Sequence, residues 1–136
     1  MIGAFTFNGC TSLTQITIPE TVTSIEYCAF SESGLTSVDI PASVEKIAGQ
    51  AFYLCNSLKT ITLHEGLISV DSMAFTGCTS VKEIFLPRSL TTIGNNAFGY
   101  ANWSSKVENF TIHGYAGTAA ETYATENGFT FEAIAE

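Results

Sequence analysis

The segment Leu35-Thr36-Ser37-Val38-Asp39-Ile40-Pro41, followed by Val44, Ile47 and Ala51-Phe52, decides the reading of this chain. Val38 and Ile40 alternate with polar neighbours and so share one side of an extended strand. Pro41 ends that strand, because proline has no N–H for a ladder. The V-x-x-I stretch from Val44 to Ile47 is too short for a helix, and predicts a second short strand or extended segment on the opposite flank. The same pattern returns along the chain. Phe7, Phe30, Phe52, Phe75 and Phe98 are spaced by 23, 22, 23 and 23 residues, and the last four follow an alanine. Ile2, Ile25, Ile47, Val70 and Ile93 stand five residues before them. Leu13, Leu35, Leu58, Val81 and Val107 begin the strand segment; Ile16, Val38, Ile61, Ile84 and Phe110 form its first aliphatic column. Ile18, Ile40, Leu63, Leu86 and Ile112 form the second.

A unit of this size cannot bury its apolar side alone. Stacking units about 4.8 Å apart aligns the aliphatic positions into continuous columns, with the phenylalanines as a spine. The expected fold is therefore mainly β, a solenoid of about five coils closed by a short C-terminal helix and strand. The repeats are assigned to residues 1–112 and the cap to 113–136 of a single domain. Thr118 to Glu121 matches a capping box, Ala119 to Asn127 is helix-compatible, Gly128 suits the helix end, and Phe129-Thr130-Phe131 alternates as a final strand. The chain starts inside a repeat with no polar cap in front, and is expected to be a fragment of a longer one.

Composition narrows the function classes. The 136 residues are 46% hydrophobic and 13% charged, which suits a packed core. Eighteen threonines favour half-exposed strands. Five Lys and Arg against 13 Asp and Glu give a net charge of −8, which argues against nucleic acid and against anionic membranes as partners. No apolar run is long enough to span a membrane, and the N-terminal residues lack the basic flank and apolar stretch of a signal peptide.

The repeated P-x-x-V-x-x-I-x-x-x-A-F-x-x-C signature resembles the BspA-type leucine-rich repeat family, over Leu13–Phe30, Leu35–Phe52, Leu58–Phe75 and Val81–Phe98. The resemblance covers nearly the whole chain. It implies a right-handed β-solenoid from secreted or surface-displayed proteins, bacterial and in some cases protist, often linked to adhesion. This chain departs from the pattern in places. Ser33 replaces the cysteine, His64 replaces the proline, and residues 99–106 interrupt the fifth unit. None of these changes touches the aliphatic columns.

No group of residues is spaced for catalysis, and no cofactor or metal is expected. The four cysteines have neither C-x-x-C spacing nor histidines beside them; three occupy one repeated slot, and all four are read as unbridged, mostly buried thiols. His64 and His113 each follow a strand's last aliphatic and are read as solvated rim residues in matching places. Glu65 beside His64 carries no catalytic signal. The tripeptides starting at Asn102 and Asn109 match the glycosylation sequon but are read as chance matches in a Thr- and Asn-rich chain. What remains is the outward strand face. Its central positions are Thr17, Asp39, Thr62, Phe85 and Thr111, a polar ladder with one aromatic. Lys59 and Lys82 share a slot in neighbouring coils, with Glu83 alongside, and Trp103 in the insertion is the other exposed aromatic candidate. The expected function is a non-catalytic binding or adhesion module, meeting a protein or glycan through Phe85, Lys59, Lys82, Glu83, Thr62, Asp39 and Trp103. The alternative is a structural spacer that displays other domains of a longer surface protein.

Overall fold

In the computed structural model, which describes residues 1–135, the chain winds as a solenoid whose sides are set by the repeat. The V-x-x-I segments form four two-residue strands: β1 (Ser24–Ile25), β3 (Lys46–Ile47), β5 (Ser69–Val70) and β7 (Thr92–Ile93). They pair in parallel, in the order β1-β3-β5-β7, with Ile25, Ile47, Val70 and Ile93 aligned. The L-x-x-I-x-I segments form β2 (Ser37–Asp39), β4 (Thr60–Thr62), β6 (Glu83–Phe85) and β8 (Thr111–Gly114) on another side. Helix α1 (Ala119–Asn127) and strand β9 (Thr130–Ala133) follow, β9 adding in parallel to β8.

The phenylalanine spine forms as expected. Rings of Phe7, Phe30, Phe52, Phe75 and Phe98 stack with centroids 5.1, 5.1, 4.9 and 5.4 Å apart and near-parallel planes. Phe30, Phe52, Phe75 and Phe98 are all buried. After each proline the chain makes one turn, the N–H of Val22, Val44 and Leu90 returning to the carbonyl of Pro19, Pro41 and Pro87. His64 accepts the same bond from Leu67, so replacing proline leaves the turn intact.

Around each phenylalanine the backbone makes overlapping turns, as in Ala29 to Glu26, Ser31 to Cys28 and Ser33 to Phe30. These need left-handed residues two before the ring: Phe5, Cys28, Gln50, Met73 and Asn96, with φ between 55° and 61°. Two residues after it, Gly9, Glu32, Leu54 and Gly77 are left-handed as well. An L-residue in this region costs roughly 1–2 kcal/mol, so the stacking of coils holds the turn against local preference. Each coil helps by donating to the next, Phe30 N to Ala51 O and Phe52 N to Ala74 O, both at 2.7 Å.

Three sequence expectations are corrected. First, the strand face is not one continuous ladder. β2 pairs with β4, and β6 with β8 and β9, but no hydrogen-bonded pairing joins β4 to β6. Second, the fifth unit slips by two residues. Ile84 aligns with Ile112 and Phe85 with His113, so Ile112 joins the first column and Phe110 leaves it to pack on Phe129. Asn109, at φ 59°, makes the local bend. The second column then meets Gly114, and α1 fills the space: a Cβ on Gly114 would lie 2.7 Å from Ala120 Cβ. Third, the capping box is not formed as read. The Thr118 hydroxyl donates to Tyr115 O, 2.6 Å, and Glu121 Oε1 accepts the N–H of Gly117, one residue before the expected one, at 2.9 Å. The helix end is as expected: Gly128 has φ 73°, its N–H reaches Thr125 O and that of Phe129 reaches Ala124 O.

The cap ends the spine through one side chain. Tyr123 packs edge-on against Phe98, its hydroxyl accepts the Phe98 N–H at 3.0 Å, and it donates to Phe98 O at 2.6 Å. The hydroxyl thus stands where the next coil's carbonyl would be. Burial pushes the Tyr123 phenol well above its ordinary value of 10.0.

Candidate functional site

On the outward strand face, side chains alternate with the buried column of Val38, Ile61, Ile84 and Ile112. The pleat therefore presents Asp39, Thr62, Phe85, His113 and Glu132 outward, each at the matched position of its strand. The two-residue slip replaces Thr111 by His113 at the central outward place. His113 and His64 are consequently not in equivalent positions.

The rim reading of His113 is overturned. Its side chain is only 16% exposed. The ring stacks on Phe85 with centroids 4.2 Å apart and planes within 10°. Nε2 lies 2.8 Å from Glu83 Oε1, and Nδ1 lies 3.6 Å from Glu132 Oε2. Parallel register produces this cluster: Phe85, His113 and Glu132 are successive rungs, and Glu83 shares a face with Phe85 two residues earlier. Phe85 thus has a folding partner that the sequence did not reveal. Even so, it remains 53% exposed.

The other predicted site residues are spread around this pair. Thr62 and Asp39 are direct ladder partners across β2 and β4. Asp39 Oδ1 is bonded to His64 Nε2 at 2.7 Å, and both side chains are substantially exposed. Lys59 and Lys82 are exposed in neighbouring coils, but Lys82 Nζ turns back to donate to Thr79 O at 3.1 Å. Trp103 stands apart from the strand face. Tyr100 and Lys106 pair antiparallel, Asn102 Oδ1 accepts the N–H groups of Ser104 and Ser105, and Trp103 at the tip is 77% exposed. It does not tuck under its loop. Of the two sequons, Asn102 lies in this exposed turn, whereas Asn109 precedes the buried Phe110.

Glu65 has a structural role that no motif signalled. Its two carboxylate oxygens accept the N–H groups of Arg88 at 2.8 Å and Ser89 at 3.0 Å in the next coil. All four thiols are free. Cys55 Sγ donates to Phe30 O at 3.0 Å and Cys78 Sγ to Phe52 O at 3.2 Å, while Ser33 fills the same column against Cys55. Burial pushes the Cys78 thiol up. Among the described residues, no group of three His, Cys, Asp or Glu is placed to hold a metal ion, and no helix is long and apolar enough to cross a membrane.

Parallel strands repeating at 22–23 residues, with an inward aliphatic on each and a conserved turn geometry between them, define a leucine-rich-repeat solenoid. The model of the BspA type leucine-rich repeat region matches residues 1–122 in six copies, and the chain belongs to that family. Two solved structures are similar. The pneumococcal vaccine antigen PcpA shares 27% identity with a TM-score of 0.58, the match covering 71% of this chain and 23% of that one. A leucine-rich repeat protein from Bacteroides ovatus shares 22% identity with a TM-score of 0.50, covering 97% of this chain and 42% of that one. The chain therefore spans less than half the length of either neighbour. No curated protein matches it significantly.

Proposed function

We propose that this chain is a non-catalytic binding or adhesion module of a secreted or cell-surface bacterial protein, and that it takes a protein or glycan on its outward strand face. The observation that carries the reading is Phe85, 53% exposed in the middle of a polar face. The stacked His113 holds its ring in one orientation, so little side-chain freedom is lost on contact. Glu83 and Glu132 beside it supply acceptors, and Lys59 and Lys82 supply donors at the neighbouring edge. An aromatic anchor ringed by polar groups is the usual form of an interface hot spot. Family membership and the likeness to a pneumococcal vaccine antigen support the compartment.

An array of extracellular proteins and glycans, probed with the wild-type chain and with folded Phe85→Ala and Lys82→Glu, tests this. Ligands that bind the wild type should weaken by about fivefold or more with each variant, on the order of 1 kcal/mol. Unchanged binding by both variants places the site elsewhere, with Trp103 next in line. A wild-type chain that retains nothing on the array favours the spacer reading.

A further inference from the structure

We propose that the free edge of β7, facing α1, is a second docking site, which takes an extended peptide segment carrying a basic residue as an added strand. The inference starts from the ladder of short strands. In each coil the column aliphatic directs its carbonyl to the coil that follows: Ile2 O accepts from Glu26 N, Ile25 O from Ala48 N, Ile47 O from Asp71 N and Val70 O from Gly94 N, at 2.8–2.9 Å. Ile2 N likewise donates forward, to Ser24 O at 2.9 Å. Ile93 is the fifth residue of this column. Its neighbours Thr92 and Gly94 donate back to Ile68 O and Val70 O. Alternation along a strand then points the N–H and C=O of Ile93 the other way. No strand lies there, because the sheet ends at β7.

Something does stand opposite, but it is a helix, whose backbone N–H groups from Thr122 onward are bonded along its own axis, starting with Thr122 N–H to Thr118 O at 3.3 Å. Thr91 and Ile93 form one wall of an open groove; Ala119, Thr122, Tyr123 and Glu126 of α1 form the other. The helix side chains leave the edge unmet: the Tyr123 hydroxyl is committed to Phe98 and that of Thr122 to Thr118 O. Burial agrees with this. Ile25, Ile47 and Val70 are fully buried, whereas Ile93 in the same column is only partly covered. An extended segment fits both needs: it supplies one carbonyl and one N–H to Ile93 and covers its side chain. Among the described residues, Glu126 is the one charged residue lining the groove, and the whole chain carries net −8, so a segment with lysine or arginine is favoured over an acidic one.

The probe is a synthetic peptide with the sequence of residues 88–94, which already forms a strand of this ladder and carries one arginine. Titrated into the isotope-labelled chain, it should shift the amide signals of Thr91, Ile93 and Thr122 and slow hydrogen exchange of the Ile93 amide by about tenfold or more. N-methylation of the peptide's final residue, which removes the donor to Ile93 O, should weaken binding roughly two- to tenfold. Glu126→Gln should weaken it by about two- to fivefold, as expected for an exposed ion pair. Thr122→Trp, on an exposed helix position, should block the groove while the circular dichroism spectrum is unchanged. Three results each overturn the proposal: no shift at Ile93 with millimolar peptide, shifts confined to Ile2 and Phe7 of the first coil, or equal binding of plain and N-methylated peptides.

Discussion

Tyr123→Phe removes a single oxygen atom, and the geometry gives its cost. The hydroxyl serves the N–H and the C=O of Phe98, both inside the core at the last ring of the spine. Phenylalanine keeps the edge-on contact with Phe98, so little apolar packing changes. Two buried backbone groups lose their partner, and each such loss costs about 1–3 kcal/mol. Partial relaxation of the cap lowers the sum, and a total of about 2–4 kcal/mol is expected, a drop of roughly 6–15 °C in Tm for a chain of this size. Urea denaturation followed by circular dichroism measures it. The wild type adds a second signature at high pH. The folded-state phenol is raised above the unfolded value of 10.0, so its contribution is fully present below pH 10 and is lost as pH rises above it. That part of the alkaline loss should be absent in Tyr123→Phe. A loss below about 0.5 kcal/mol, with an unchanged alkaline profile, would refute the view that the cap closes the ladder through this hydroxyl.

Other expectations concern the spine, the thiols and the strained turns. Phe52→Ala or Phe75→Ala should each cost about 3–5 kcal/mol in chemical denaturation, and a loss under about 1 kcal/mol would sink the column model. Thiol titration of the denatured, unreduced protein should count four free cysteines. In the native state Cys55 and Cys78 should react far more slowly than Cys10, which is less buried; equal rates would contradict their burial. Glu32→Gly relieves a left-handed residue at φ 58° on the surface. It should leave stability unchanged or raise it by up to about 1 kcal/mol, because the relief of strain exceeds the entropy cost of glycine. A loss of more than about 1 kcal/mol would show that the side chain has another role.

Much of this protein was legible before any coordinate, and the reason is repetition. One coil's pattern is ambiguous, but a column is tested by every unit at once. Phe30, Phe52, Phe75 and Phe98 at near-constant spacing leave a stacked core as the consistent solution, and the helix from Ala119 with Gly128 at its end follows from local backbone chemistry. The left-handed residues escaped notice because Cys28, Gln50 and Met73 carry no local preference for that conformation. The contacts of the next coil impose it on them.

The candidate site divides in the same way. Alternation along the strand assigned Phe85 to the outward face, since side-chain period is a property of the extended chain alone. The partnership of Phe85 with His113, Glu83 and Glu132 could not be read, because it depends on register across a unit broken by an insertion. Ile112 and Phe110 are both apolar and both fit the first column, so pattern cannot choose between them. Packing against Phe129 and the room left at Gly114 for Ala120 make the choice. A two-residue shift preserves which side chains face inward while changing their neighbours across the strand. Facing is therefore determined by the sequence, and neighbourhood by the tertiary structure.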